Sequence, residues 1–446
     1  MTVAPARDTV ARRDAAIAAL LACAKIGASI ALVSWLGFRQ ISDDDYARTV
    51  IAESFARAPK LDPSGTSWLP FPFWMTGAAM MAFGRSLGVA RAVAYAASGV
   101  GAAVFFFALR RAGASRAMGA AATIVASVSS WNLWVGAAPV PEGFTGSLMA
   151  AAMLGLVRKG DDAAPAWLAP AALALVCALS RYEAWPMAAV IAIAAALGAW
   201  RGPRGVLVAA ALAAAGPLAW MLWNRIDHGS ALHFVARVTR YRHAIGAAGA
   251  PLSEKIALYP AAFVRGFPEA AVLGALGLAA AVRTPRRFGP CLVAAGAVLA
   301  FLIVGELGEG APTHHPERAL VSIGWLGVAL GALALDALRA RPNDVRPFVR
   351  VGSWVAAGAA MLLLAIRAPD AIRAYPGQGE ADRAPQIARG LALRAADPSR
   401  TFVVTPCAYE HFAVMAASGA PERFTVRAPP PDARRPVTPE CPTIEP

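Results

Sequence analysis

Residues 15–38 read "AAIAALLACAKIGASIALVSWLGF", and residues 39–50 continue "RQISDDDYARTV". A helix rises 1.5 Å per residue, so roughly 20 apolar residues cross the ~30 Å hydrocarbon core of a bilayer. The first stretch is long enough to be such a span. The second follows it with three consecutive carboxylates. One Asp at the centre of a membrane helix costs about 2.5–3.5 kcal/mol, so Asp43, Asp44 and Asp45 must stand outside the hydrocarbon, at the membrane surface.

Composition extends this reading to the whole chain. Of 446 residues, 57% are hydrophobic and 16% charged, with a mean hydropathy of +0.50. A soluble domain carries about 25% charged residues and under ~50% apolar ones. The chain therefore reads as a mostly α, polytopic membrane helical bundle. Apolar runs near 15–38, 92–109, 117–135, 143–157, 164–180, 184–200, 205–223, 268–282, 288–305, 319–338 and 351–367 give about eleven spans. The formal charge of +14 would suit nucleic acid in a soluble protein. Here the arginines cluster in short connectors, which membrane orientation explains, so a nucleic-acid partner is excluded.

The stretch "LPFPFWMTGAAMMAFG" (69–84) opens on Pro70 and Pro72 and is too short to cross. It reads as an interfacial helix. Charge asymmetry agrees. With 69–84 left out of the spans, "RRAGASR" (110–116), "RKGDD" (158–162), "RGPRG" (201–205), "RTPRR" (283–287) and "RARPNDVRPFVR" (339–350) share one face with Arg12 and Arg13. That face is cytoplasmic by the positive-inside rule. "LLAC" (20–23) resembles a lipoprotein cleavage box, but the apolar run continues past Cys23, so an uncleaved signal anchor is expected.

Residues 1–367 form the membrane domain in this reading, and 368–446 a small extracytoplasmic α/β unit. That unit holds helical "DRAPQIARGLALRAAD" and "AYEHFAVMAASG", strand-like "TFVVT" and "RFTVR", and an extended Pro-rich end. Cys407 and Cys441 can pair there if the compartment is oxidising.

The same topology sends the unusual polar residues to the outer face. Asp43, Asp44 and Asp45 emerge after the first span, Glu142 at the next outer turn, and Arg181 and Glu183 in "SRYEAWP". Arg237, Arg240, Arg242 and His243 lie in "ARVTRYRHAIG", and His314, His315, Glu317 and Arg318 in "THHPERAL". A carboxylate can act as general base on an acceptor, and arginines can hold a phosphate bidentately and stabilise its charge as it leaves. Each residue also has a plainer reading. The aspartates and Glu142 suit helix caps, and Arg181 with Glu183 suits a salt bridge at a helix junction. The arginines of 237–242 suit lipid headgroups. "HHPE" lacks the i, i+4 spacing of a helical zinc site.

The segment "ISDDDYARTV…SGTSWLPFPFWMTGAAMMAFGRSLGVARAVAYAASG" resembles the first-loop region of GT-C fold, polyprenyl-phosphate-sugar-dependent glycosyltransferases. There an acidic pair follows the first membrane helix, and a Pro/aromatic interfacial helix, "fG" and an Arg precede the second. Asp43, Asp44, Pro70, Pro72, Phe83, Gly84 and Arg91 carry the match. "HHPERAL" (314–320) is similar to the His-x-x-Glu-Arg-x-Leu signature of lipid-linked-mannose-dependent mannosyltransferases, through His314, Glu317, Arg318 and Leu320. The resemblance implies a catalytic base within the acidic cluster and a polyprenyl-phosphate-linked sugar donor. It implies an acceptor that is a glycan, lipid or protein and, in some members, a divalent cation such as Mg or Mn. It further implies a multi-pass protein of the bacterial inner (plasma) membrane, in contact with membrane lipids, whose site faces outward. The competing readings are a transporter or flippase for lipid-linked or anionic solutes, and a non-catalytic assembly subunit with the tail as its binding module.

Overall fold

The computed structural model describes residues 5–158, 167–199, 205–244, 249–310, 315–340, 347–373, 382–395, 399–427 and 441–445. In chain order the helices are α1 (Pro5–Ser34), α2 (Asp44–Arg57), α3 (Phe71–Phe83), α4 (Leu87–Ala112), α5 (Arg116–Val128), α6 (Ser130–Ala137), α7 (Glu142–Gly155), α8 (Leu168–Ala178), α9 (Ala184–Ala199), α10 (Gly205–His228), α11 (His233–Ala244), α12 (Leu252–Gly266), α13 (Pro268–Ala281), α14 (Pro285–Leu307), α15 (Val321–Ala340), α16 (Pro347–Arg373), α17 (Ala384–Ala395) and α18 (His411–Ser418). A 3₁₀ turn, Pro316–Leu320, leads into α15.

Every apolar run read from the sequence falls on a helix, but runs and full-length spans are not the same thing. Among the described residues, six helices are long and apolar enough to cross a membrane: α1, α4, α10, α14, α15 with its leading turn, and α16. A seventh candidate is the α12–α13 pair, bent by 105°. Hydropathy counts apolar residues without seeing where the backbone leaves the helix. The run 117–135 breaks at Ser129, whose φ of −52° and ψ of 135° separate α5 from α6. Lys25 of α1 bridges that break, donating to the carbonyls of Ser127 (2.9 Å) and Asn132 (2.7 Å). Carbonyls freed at a helix end need such partners. The stretch "ARVTRYRHAIG", expected at the outer face, lies largely on α11, and α12 follows it.

Two helices form the centre. All fourteen residues of α7 are buried, as are residues 321–335 of α15. A helix apolar all round belongs in a core rather than against water. They meet where Gly146 faces Val321, a contact so close that a Cβ at 146 would lie 2.2 Å from the valine Cγ1. α15 also packs backbone to backbone on α13, with Gly277 against Leu330 and Gly327 against Ala270. Small residues permit this approach where no hydrophobic force drives helices together.

The two ends of the bundle are built differently. At one end Arg287 donates to the Ala112 carbonyl (2.7 Å), Arg158 N–H to the Arg287 carbonyl (3.1 Å), and Arg116 pairs with Asp14 (2.5 Å). Three of the five basic connectors thus converge, through Ala112, Arg116, Arg158 and Arg287, while 159–162, 201–204 and 341–346 lie outside the described residues. α4 runs from there to the first-loop end, where Arg91 donates to the Arg39 carbonyl (2.9 Å). In the first loop, α3 has thirteen residues, with Pro72 in its first turn, and ends at Gly84, φ 90°. Its length fits an interfacial helix and not a crossing.

Among the described residues the tail holds the two helices and two strands read from it, with one addition. β1 (Phe402–Thr405) pairs in parallel with β2 (Phe424–Val426) and antiparallel with β3 (Thr443–Glu445), giving the order β2-β1-β3. The third strand comes from the Pro-rich end, most of which (428–440) lies outside the described residues. Cys407 and Cys441 form a disulfide with Cα atoms 6.0 Å apart. Phe402, Val404, Val414 and Phe424 share one buried cluster with Tyr46 and Val50 of α2 and Leu87 of α4. The tail therefore sits directly on the first loop.

Candidate active site

The core helices present charge at their first-loop ends. Glu142 is the first residue of α7, and Arg318 lies in the turn before α15. A carboxylate at a helix N-terminus is favoured by the macrodipole, whereas a cation there is not. Arg318 is compensated by contact: it bonds Glu142 at 2.9 Å and Asp44 at 3.2 Å. Arg181, between α8 and α9, bonds Glu142 at 2.9 Å and Glu183 at 2.6 Å. A chain of alternating charge thus runs Asp44–Arg318–Glu142–Arg181–Glu183. Glu142, Glu183 and Arg318 line one small cleft with Thr145 and Ser322.

The three aspartates have three different environments. Asp43 takes a bidentate pair from Arg383, at 2.8 and 2.7 Å. Asp45 is 1% exposed; one carboxylate oxygen accepts from Ile41 N–H at 2.9 Å and the other has no partner among the described residues. Asp44 has 37% of its side chain exposed, against 14% for Asp43. Its carboxylate is the one open to an arriving group. The capping reading does not hold for Asp43, which stands at the N-cap of α2 but makes no side-chain cap bond. The Arg181–Glu183 salt bridge does exist, as one link of the larger chain.

The remaining expected residues lie apart. Arg242 is buried in a two-point pair with Glu306 (2.7 and 2.8 Å). Glu317 turns to Arg265 (2.7 Å). Arg237, exposed, donates to the Gly65 carbonyl (3.2 Å), and Arg240 is exposed. His314 lies outside the described residues. His315 has a φ of 52° and sets its ring 5.5 Å from that of Trp131.

The sequence matches no family model and no curated protein. Solved structures do match. ArnT from Cupriavidus metallidurans, in a crystal structure bound to undecaprenyl phosphate, superposes with a TM-score of 0.56 at 17% identity, over 91% of this chain and 88% of that one. The Archaeoglobus fulgidus oligosaccharyltransferase, in complex with Zn and sulfate, gives 0.54 at 14% identity over 93% and 62%. AglB from the same organism, in complex with an inhibitory peptide and a dolichol-phosphate, gives 0.50 at 13% identity over 94% and 60%. This chain has the GT-C fold. It spans about three fifths of the length of the archaeal proteins.

In this GT-C chain Asp43, Asp44, Glu142 and Glu183 are each matched to an arginine. Among the described residues, the one group of three His, Cys, Asp or Glu donors close enough to share an ion is Cys407, Glu410 and Cys441. Its two sulfurs are joined in the disulfide.

Two site residues escaped the sequence reading. Arg383 carried no local signal, because its partner is 340 positions away. Arg48 did carry one: it follows Asp44 by four positions, one turn along α2, where helical neighbours share a face.

Burial raises the pKa of Asp45 to about 7, against the pull of the Ile41 N–H and the charge of Arg318. In the folded chain it holds its proton more tightly than an unfolded Asp, with a pKa near ~4, would. The stability this contributes is full below about pH 4 and is lost as pH rises through about 7. Thermal unfolding in detergent should therefore show the wild-type midpoint falling across that window, and Asp45→Asn should flatten the fall. Parallel pH curves for the two proteins would disprove the assignment.

Proposed function

We propose that the protein transfers a sugar from a polyprenyl-phosphate donor to an acceptor at the extracytoplasmic membrane surface, with inversion at the anomeric carbon. The observation that carries this is the open Asp44 carboxylate at the head of the buried Arg318–Glu142–Arg181–Glu183 chain. Asp44 removes a proton from the acceptor hydroxyl or amine as that atom bonds to the anomeric carbon. The bond from that carbon to the phosphate oxygen breaks on the opposite face, and polyprenyl phosphate departs with the electron pair. Arg318, shared between Asp44 and Glu142, orients the base. Asp43 is tied to Arg383 and holds the small domain of 368–446 over the site, while Asp45 fixes the start of α2. The GT-C fold and the lipid phosphates bound in its structural neighbours support the donor class; the His-x-x-Glu-Arg-x-Leu similarity makes mannose the first sugar to try.

The test is turnover by the purified full-length protein in lipid nanodiscs, given a panel of radiolabelled polyprenyl-phosphate monosaccharides and membrane-derived acceptors. The expected result is release of polyprenyl phosphate with at least one donor, and a product of inverted anomeric configuration. Binding of donors without any transfer or hydrolysis would instead favour a carrier.

A further inference from the structure

The arginines nearest Asp44 are committed: Arg318 and Arg181 to Glu142, Arg383 to Asp43. Arg48 is not. It is 6% exposed, yet among the described residues it has no carboxylate within ion-pair distance, and its Nε lacks a hydrogen-bond partner. Its guanidinium lies 4.3 Å from the ring centroid of Trp68 and 5.8 Å from that of Phe73. It opens onto a cleft it shares with Thr49, Pro72, Thr76 and Pro139. An indole face orients a guanidinium and partly offsets its lost hydration without occupying its N–H groups. Leaving buried donors unmade is costly, so a chain that keeps this arrangement keeps an anion seat.

We propose that Arg48, held flat on Trp68, is the phosphate-binding residue for the lipid-linked substrate, one helical turn from the base Asp44. This rests on the transfer reading above and assigns its anionic group to a residue outside the salt-bridged chain. A planar fork meets a phosphate bidentately. With Arg318 and Arg181 each paired to two carboxylates, Arg48 is, among the described residues, the site's uncommitted fork.

The test is direct binding to the purified full-length protein of undecaprenyl phosphate, undecaprenol and phosphatidylglycerol, for wild type, Arg48→Met and Arg48→Lys. For Arg48→Met, affinity for undecaprenyl phosphate should fall on the order of ten- to a hundredfold, affinity for undecaprenol should hold, and the ligand-free thermal midpoint should stay level or rise. Arg48→Lys should fall between. A merely structural arginine would lower the midpoint and weaken both prenyl ligands together. That outcome, wild-type affinity in Arg48→Met, or displacement of undecaprenyl phosphate by equimolar phosphatidylglycerol overturns the assignment and leaves the transfer reading standing. If the wild type binds no undecaprenyl phosphate, both fail.

Discussion

Replacing Asp44 with Asn is expected to lower sugar transfer by roughly 10²–10⁴-fold, the usual contribution of a positioned general base. Asn is nearly the same shape and can still accept from Arg318, 3.2 Å away in the native chain. The change removes the proton acceptor and little else. The loss should therefore fall on kcat, with the KM for the donor within a few-fold of wild type. The neighbouring substitutions are the controls. Asp43→Asn weakens the two-point bond to Arg383 but leaves the open carboxylate intact, so its effect on kcat should be much smaller. Asp45→Asn changes a group with no access to an acceptor and should show the smallest kinetic effect of the three. Full activity in Asp44→Asn beside a dead Asp43→Asn would move the base to Asp43.

The largest effect on stability should come from Glu142→Gln. The Glu142 carboxylate is buried, and one of its oxygens receives both Arg318 and Arg181, each at 2.9 Å. Neutralising it leaves two buried guanidiniums with only Asp44 and Glu183 between them. Breaking a buried pair from one side costs about 3–5 kcal/mol, a large part of the ~5–15 kcal/mol that holds a typical domain together. Reduced membrane yield and a lower unfolding midpoint in detergent are the expected readouts. Adding Arg318→Met should recover part of the loss, because the double change removes the stranded charge with its partner. A single substitution that costs less than ~1 kcal/mol would mean the network behaves as a solvated surface pair.

The sequence carried most of the fold, because hydropathy and basic connectors are local and additive along the chain. Every apolar run became helix, and the connectors at 112, 158 and 287 meet at one end. What it could not carry was the point where a run stops being one helix. Ser129 interrupts α5 and α6 with an ordinary residue, and the carbonyl freed at Ser127 is met by Lys25 from a helix about a hundred positions away. The candidate site was legible in the same proportion. Asp44, Glu142, Arg181, Glu183 and Arg318 each stood out as charge at the end of an apolar run, and these five come together. Arg237, Arg240 and Arg242 stood out for the same reason, but α11 carries them elsewhere, and Arg242 spends its charge on Glu306. Charge at a helix end identifies candidates; only the packing of α7 against α15 selects among them.

The bond between Asp43 and Arg383 links residues 340 positions apart, which has a consequence for biosynthesis. α2 emerges early, when most of the chain is still unmade, so its acidic cluster lacks one of its arginines until Arg383 has been made and reaches it. A chain truncated ahead of the tail would insert its helices and display Asp44, yet leave Asp43 unpaired and the α2–α4 surface under Phe402 and Val414 bare. The order of the acidic cluster thus depends on a segment made long after it.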